Sequence, residues 1–269
     1  MDNLTPHGPT PAATDSGSAT HTETPRLPPA SVPAGNGTAW WSEGWRLFRA
    51  SPWVWIAITV LFVVIMILLS IIPLLGHVAN ALLTPVLAGG VMVGCRTIDR
   101  GGTLTINHLF ASFSDRLQPL VVVGLFYLIG SLVIVVVVFC ALVGVVGMSG
   151  IWALFAGDPM EAGFAALATL GMGAMLAVML GLLIGIPLTM AYWFAPALVV
   201  LRHDEPLAAM KTSFNACLVN MWPMLVYSLL GLLFAIVASI PIMLGWLVLA
   251  PVFAGSVYAS YKDIFGDIG

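Results

Sequence analysis

Few side chains in this sequence could carry out acid–base or metal chemistry. His203, Asp204 and Glu205 form the only cluster that mixes such groups. A metal site or an acid–base pair at this cluster needs further donors from elsewhere in the fold. Pro206 follows directly, and acidic residues and proline both suit the first turn of a helix. We therefore interpret the cluster as a solvated turn that precedes a helix.

The other candidate ligands are isolated along the chain. His77 and His108 have no Cys, Asp or Glu at metal-ligand spacing. Cys95, Cys140 and Cys217 form no Cys-x-x-Cys pair and are expected to be free thiols. Phosphate-loop, dinucleotide and hydrolase motifs are missing. The sequence thus predicts no catalytic residue, no metal site and no cofactor, and hence a protein that is not an enzyme.

The composition of the chain indicates that it folds in a lipid bilayer. Of the 269 residues, 60% are hydrophobic and 8% are charged, and the net charge is −3. Ordinary soluble domains carry about a quarter charged residues. The composition therefore excludes a soluble globular domain, a disordered protein, a nucleic-acid binder and a disulfide-stapled scaffold. Membrane lipids are the expected partners.

Six apolar runs are long enough to cross a hydrocarbon core of about 30 Å as helices. Their apolar residues are continuous and not alternating, which favours helices over barrel strands. The predicted fold class is all-α, a polytopic transmembrane helix bundle with six spans in one domain, 39–265. The predicted spans are 53–75, 78–95, 119–148, 175–201, 221–239 and 242–261.

The fourth run, 164–201, is too long for one crossing and too short for two. As a helix it would reach about 57 Å, since each residue adds 1.5 Å. We predict one span, with the Gly/Ala-rich stretch before it projecting outward or lying on the membrane surface. The sequence leaves the start of this span open between 160 and 178. Pro187 is expected to bend the helix.

Residues 1–38 differ from the rest of the chain. They are rich in Pro and Thr and contain almost no large apolar side chains. Such a segment buries too little surface to offset the entropy of ordering it. We predict a disordered cytoplasmic tail.

The basic residues predict the orientation of the bundle. All nine lie before span one, between spans two and three, between spans four and five, or after span six: Arg26, Arg46, Arg49, Arg96, Arg100, Arg116, Arg202, Lys211 and Lys262. Positive residues concentrate in cytoplasmic loops. Both termini are therefore expected in the cytoplasm of a multi-pass protein.

A threefold repeat is suggested by short amphipathic stretches before spans one, three and five. Trp40, Trp41 and Trp45 lie in the first stretch, which is expected to lie flat at the headgroup level. The runs after Pro85, Pro196 and Pro251 are similar to one another. The predicted unit is an interfacial helix followed by a helical hairpin. The alternative is that any loop between membrane helices looks amphipathic.

The mild polar residues inside the spans allow two interpretations, structural hydrogen bonding between helices or a cavity for a ligand. No Asp, Glu, Lys, Arg or His occurs in the six spans, which disfavours a proton-coupled carrier or a voltage sensor. Asn80 is expected to make an interhelical hydrogen bond. Helices broken at Pro187 or Pro251 could instead line a cavity with Asn80, Thr84 and Thr189, suited to a neutral or lipid-like ligand.

Two Gly-x-x-x-Gly pairs predict close helix contacts. They are Gly90 with Gly94 and Gly181 with Gly185. Such pairs give a flat face that lets two helices approach. We favour packing within the monomer; self-association or a membrane-protein partner is the alternative.

Several short runs resemble a family of bacterial inner-membrane proteins. They are the Gly44 to Phe48 start, the Gly89-Gly90 element, and Ala195 to Val199 followed by Pro206 to Ala209, Ser213 and Asn220. The resemblance is to uncharacterised six-helix families, one of them known mainly from betaproteobacteria. It implies a location in the inner membrane and brings no catalytic residues. The function expected is a non-catalytic structural or interaction component of the envelope; the alternative is a transporter or lipid-handling protein.

Overall fold

The computed structural model of the chain describes residues 28–155 and 158–266. Within them the chain forms α-helices joined by turns, with one 3-10 helix at Ile106–Phe110. The predicted tail lies outside the described residues as far as residue 27. The helices are α1 (Asn36–Ala50), α2 (Pro52–Ser70), α3 (Leu75–Asp99), α4 (Ser112–Asp115), α5 (Leu117–Phe155), α6 (Pro159–Trp193), α7 (Ala195–Leu201), α8 (Pro206–Val219), α9 (Met221–Ser239) and α10 (Trp246–Phe265).

Five helical stretches are long and apolar enough to cross a membrane. They are Pro52–Ser70, Leu75–Asp99, Leu117–Ile151, Pro159–Leu201 and Met221–Ser239. The predicted all-α fold class, with several membrane-capable helices, is confirmed. The sixth span and the threefold repeat stay predictions, since α10 carries Lys262 and Asp263 and is not among these five.

The fourth predicted span is a long helix followed by a short one. Its Gly/Ala-rich start belongs to α6, which packs along α5. The helix runs without interruption through Pro187 and ends at Trp193, before Phe194. The break falls there because Pro196, at the second position of α7, has no N–H to continue the hydrogen-bond ladder.

The core lies at the end of the bundle where α3 and α10 terminate. All seven residues of α7 are buried there, together with the C-terminal halves of α3 and α10. Toward the opposite end, the helices α2, α5, α6 and α9 expose large apolar side chains. Such a surface requires an apolar surrounding, as a bilayer provides.

One type of contact recurs at this end of the bundle: a helix packs against the elements that follow it in the chain. α3 packs against the 3-10 helix and α5, which follow it in the chain. α6 and α7 pack against α8 in the same way, and α10 closes the arrangement by packing against α1 and α2.

The predicted exposure of Trp40 and Trp41 at the headgroup level is wrong. Trp40 and Trp41 are only 3% and 5% exposed, because α9 and α10 cover the apolar face of this helix. Trp45 stays exposed. The close contact is made by two glycines: a Cβ built on Gly255 would lie 3.0 Å from Gly44 Cα. Without side chains at these positions, the two backbones come together.

The predicted boundary of the tail at Thr38 is also too late. α1 already begins at Asn36, and residues 28–35, here called the strap, are held by hydrogen bonds. Asn220 is completely buried; its Oδ1 accepts from Val32 N–H at 2.9 Å and its Nδ2 donates to Ala30 O at 2.9 Å. The strap contains few large apolar residues, but its backbone is held in place because its polar groups bond to a buried side chain.

Candidate functional site

An apolar groove lies between α6 and α9. It has a volume of about 510 Å³ and opens toward the lipid-facing side of the bundle. Its walls are formed by residues of α6 and α9, and Cys217 of α8 lies at one end: Gly181, Leu182, Gly185, Ile186, Thr189, Met190, Trp193, Cys217, Met221, Met224, Leu225 and Ser228. A groove of this kind can hold an apolar molecule.

The structure separates the residues of the predicted cavity. Thr189 lines the groove together with Gly181 and Gly185. Asn80 and Thr84 lie on α3, away from it. The Nδ2 of Asn80 donates to Ser70 Oγ on α2 at 2.9 Å, which is a hydrogen bond between helices as expected for a structural role. The predicted cavity of Asn80, Thr84 and Thr189 is therefore not formed.

The two Gly-x-x-x-Gly pairs have different surroundings. A Cβ on Gly90 would overlap the carbonyl oxygen of Leu109, so α3 touches the backbone of the 3-10 helix there. A Cβ on Gly94 would lie 2.9 Å from a methyl group of Leu104. Cβ atoms on Gly181 and Gly185 would have only single contacts with α5, at 4.0 and 3.9 Å. The first pair packs within the monomer and the second borders the groove.

Trp193, at one end of the groove, belongs to an aromatic cluster with Tyr227 and Trp41. Tyr227 stacks on Trp41 at 4.9 Å between ring centroids and meets Trp193 edge-on at 6.1 Å. Its hydroxyl pairs with Ser256 Oγ at 2.7 Å. The sequence does not predict this contact, because it joins positions that are distant in the chain.

The acidic turn 203–205 joins α7 to α8. Asp204 is buried beside Arg202, with 3.7 Å between Oδ2 and Nε. Burial, and then the charges of Arg116 and Arg96, lower the pKa of His203 below its ordinary value. Among the described residues, no three His, Cys, Asp or Glu side chains converge to hold a metal ion. The turn serves to lead α7 into α8.

One related protein supports the membrane assignment. The chain is similar to a probable inner membrane protein of Burkholderia thailandensis, with 26% identity over 262 residues, 87% of this chain and 93% of the relative. No family model matches the chain. No solved structure matches it either. With its apolar helices, the chain is an integral membrane protein, and it fits the expected group of uncharacterised inner-membrane proteins.

A charged cluster joins α1, α3 and α10 at the packed end. Asp99 accepts from Lys262 Nζ at 2.6 Å and from Arg46 Nη2 at 2.8 Å, and its side chain is 8% exposed. Tyr258 also donates its hydroxyl to Asp99, at 3.3 Å. The cluster thus joins the first, third and last helices described.

Replacing Asp99 with Asn is expected to lower stability moderately. The substitution removes the charge that Arg46 and Lys262 share, and both of these heads reach water, so we expect a loss of about 1–2 kcal/mol. Glu43→Gln is the matched control, because Glu43 pairs only with the exposed Arg46 one turn away on α1 among the described residues, and should change stability by less than about 0.5 kcal/mol. Thermal unfolding midpoints in one detergent would compare them. Equal midpoints for both variants would contradict a stabilising role for the cluster.

Proposed function

We propose that this protein is a non-catalytic structural or interaction component of the bacterial inner membrane, with six spans and both termini in the cytoplasm. The observation that carries the proposal is the gathering of charge and buried contacts at one end of an otherwise apolar bundle. Arg46, Asp99 and Lys262 meet there. A charged, packed end suits the cytoplasmic side, where basic residues concentrate.

The course of α10 supports a sixth span. α9 and α10 pack as a hairpin, and Trp246 Nε1 donates to Ser239 Oγ at 3.1 Å near the turn between them. At its other end α10 brings Lys262 to Asp99, the last residue of α3. If α9 crosses the bilayer, α10 therefore returns across it, and its serines and tyrosines are tolerated because they are buried inside the protein.

The recurring packing order supports a threefold repeat. The second helix of each hairpin packs against the amphipathic element of the next unit, and α10 packs in the same manner against α1. In this scheme the exposed faces of the cytoplasmic helices are the surfaces for a membrane-protein partner or a second copy.

Handling of a lipid or lipid-like ligand is the second candidate function. The groove between α6 and α9 favours it, because this groove is apolar, is open to the bilayer and contains three of the predicted site residues, Gly181, Gly185 and Thr189.

Labelling of single cysteines from outside the cell would test the six-span topology. Cys95, Cys140 and Cys217 would be replaced by Ser, and single cysteines introduced at His77, Asp158, Arg100, Lys211 and Gly266. A membrane-impermeant maleimide should label positions 77 and 158, both exposed, in intact spheroplasts, and positions 100, 211 and 266 only after permeabilisation. External labelling of position 266, with position 211 protected, would replace the proposal with a five-span topology.

A crosslinking experiment in native membranes would test the interaction role. A photoreactive amino acid at exposed Trp222 or Leu218, in the cytoplasmic part of the bundle, should give a discrete protein adduct. The same amino acid at exposed Leu132 serves as the lipid-facing control and should give lipid adducts. Lipid adducts alone at all three positions would contradict an interaction surface on this side and favour the second candidate.

A further inference from the structure

Three basic side chains lie close together at the packed end of the bundle, apart from the charged cluster of Asp99. They are Arg96 in the last turn of α3, Arg116 between α4 and α5, and His203 in the turn after α7. After burial, the charges of Arg116 and Arg96 are the largest causes that lower the pKa of His203, which requires the three groups to be near one another. The exposed Asp115 opposes them with a single carboxylate, so the group keeps a net positive charge.

The packing of α3, α5 and α7 brings these three groups to one place. A Cβ on Gly89 would lie 2.7 Å from Val200 Cγ2 on α7 and 3.0 Å from a methyl group of Leu120 on α5. Arg96 follows Gly89 by seven residues and therefore lies on the same face of α3, about two turns further along. The other two basic residues are four residues before Leu120 and three residues after Val200. All three thus lie on the same side of this helix contact.

The two arginine heads have no acceptor within 28–155 and 158–266. The Nε of Arg116 is enclosed and unpaired, whereas its Nη groups and the head of Arg96 are not enclosed. An anion at the surface can therefore reach them. Both side chains are half-buried, which withdraws the guanidinium groups partly from water and strengthens charge-assisted hydrogen bonds to such an anion.

The cluster lies where a membrane-capable helix begins. The stretch Leu117–Ile151, long and apolar enough to cross a membrane, starts directly after Arg116. Just before it, Phe110 and Phe113 expose 41% and 36% of their surface, with 5.8 Å between their ring centroids. Exposed aromatic rings beside basic side chains are typical of a surface that lies in the headgroup and acyl boundary. A phospholipid in this boundary has its phosphate at the level of the cluster.

We propose that Arg96, Arg116 and His203 bind the phosphate group of an anionic phospholipid. The phosphate accepts from the guanidinium Nη groups, and the acyl chains remain in the bilayer beside α5. A zwitterionic phospholipid brings its own cation next to the phosphate, so the cluster favours headgroups with net negative charge. This site goes beyond the proposed structural role and rests on it only for the assignment of the lipid to the cytoplasmic leaflet.

Native mass spectrometry of the full-length protein in detergent tests the proposal. The protein would be titrated with phosphatidylglycerol and, separately, with phosphatidylcholine of the same acyl chains. The first phosphatidylglycerol is expected to bind about fivefold tighter than the first phosphatidylcholine. Inorganic phosphate in large excess should not displace it, because free phosphate lacks the acyl chains that hold the lipid beside the protein.

Two cluster variants and one control identify the site. Arg96→Gln with Arg116→Gln removes both guanidinium heads and should weaken phosphatidylglycerol binding about tenfold. His203→Glu places a negative charge in the cluster from an exposed turn, and should weaken binding similarly even where the double variant does not fold. Arg49→Gln with Lys211→Gln is the matched control, because it removes two exposed cations outside the cluster and should keep the affinity within about twofold. Size-exclusion profiles would verify that each variant is folded.

The failures of this proposal and of the proposed topology are distinguishable. Equal phosphatidylglycerol affinity in the folded cluster variants and the control would overturn the site. Equal binding of the two lipids by the wild type would overturn the preference for an anionic headgroup, and displacement by inorganic phosphate would assign the cluster to a soluble anion instead. External labelling of a cysteine at position 100 would place the cluster in the opposite leaflet while leaving the lipid affinity in detergent unchanged.

Discussion

Gly44→Leu is expected to unfold the packed end of the bundle. A Cβ at this position would overlap the carbonyl oxygen of Val252 and would lie 2.7 Å from Ser256 N. These atoms belong to the backbone of α10 and cannot rotate away, so α1 must separate from α10. Overpacking of this severity costs about 3 kcal/mol or more. Fluorescence-detected size exclusion after a heating series would measure the loss of monodisperse protein.

Gly171 provides the matched control for this substitution. No atom of the described residues lies within 4 Å of a Cβ built there, and the residue is in the interior of α6. Gly171→Leu should therefore be neutral or stabilising by up to about 1 kcal/mol, because glycine is a poor helix former. If Gly44→Leu retained the midpoint of Gly171→Leu, the close crossing of α1 and α10 would be wrong.

Asn220→Ala is expected to release the strap. The Asn220 side chain makes three hydrogen bonds, two to the strap and one from Nδ2 to Ala216 O at 3.1 Å. At about 1 kcal/mol for each bond, we expect a loss of about 2–3 kcal/mol. The freed backbone groups of Ala30 and Val32 would then turn to water. Elastase should cleave the variant after Ala30 or Ala34 much faster than the wild type, as read from the masses of the products.

Asn80→Ala is the matched control, because it removes an amide side chain that does not bond to the strap. Within the described part of the chain, the Asn80 side chain makes one hydrogen bond, to Ser70, and none to the strap. Its loss should cost about 1 kcal/mol and leave elastase cleavage at the strap unchanged. Slow cleavage in Asn220→Ala would mean that other contacts, such as Ala30 N–H to Ile264 O, hold the strap by themselves.

Local patterns in the sequence predicted the elements well. Long uncharged runs identified the apolar helices, and helical spacing of apolar residues identified α1 and α8. The need of an amide in apolar surroundings for a partner predicted the hydrogen bond of Asn80. Each of these inferences depends only on neighbouring residues in the chain or on the apolar surroundings of the helices. Both can be read directly from the sequence.

The tertiary contacts of α1 and the strap could not be predicted in this way. An apolar helical stripe suits a membrane interface as well as a protein partner, so Trp40 and Trp41 alone could not decide between them. The deciding feature is the approach of Gly44 to Gly255, two positions far apart in the chain. The strap likewise depends on Asn220, whose partners lie 188 and 190 residues away.

The candidate site was predicted only in part for a similar reason. Gly181, Gly185 and Thr189 recur on one side of α6 and do line the groove. Asn80 and Thr84 were grouped with them because all are mild polar or small residues in apolar surroundings. Which helices lie side by side depends on contacts between positions far apart in the chain, such as that of Trp193 with Tyr227.

The contact between α1 and α10 has a consequence for biosynthesis. About 200 residues must be translated after α1 before its partner emerges, which takes roughly 10–40 s at 5–20 residues per second. Until α9 emerges, the tryptophan-rich face of α1 has no native helix to cover it and must rest on lipid or a chaperone. Completion of the packing thus awaits the last helix, and a nascent chain that stops before α10 would leave part of the aromatic face open to quality-control proteases.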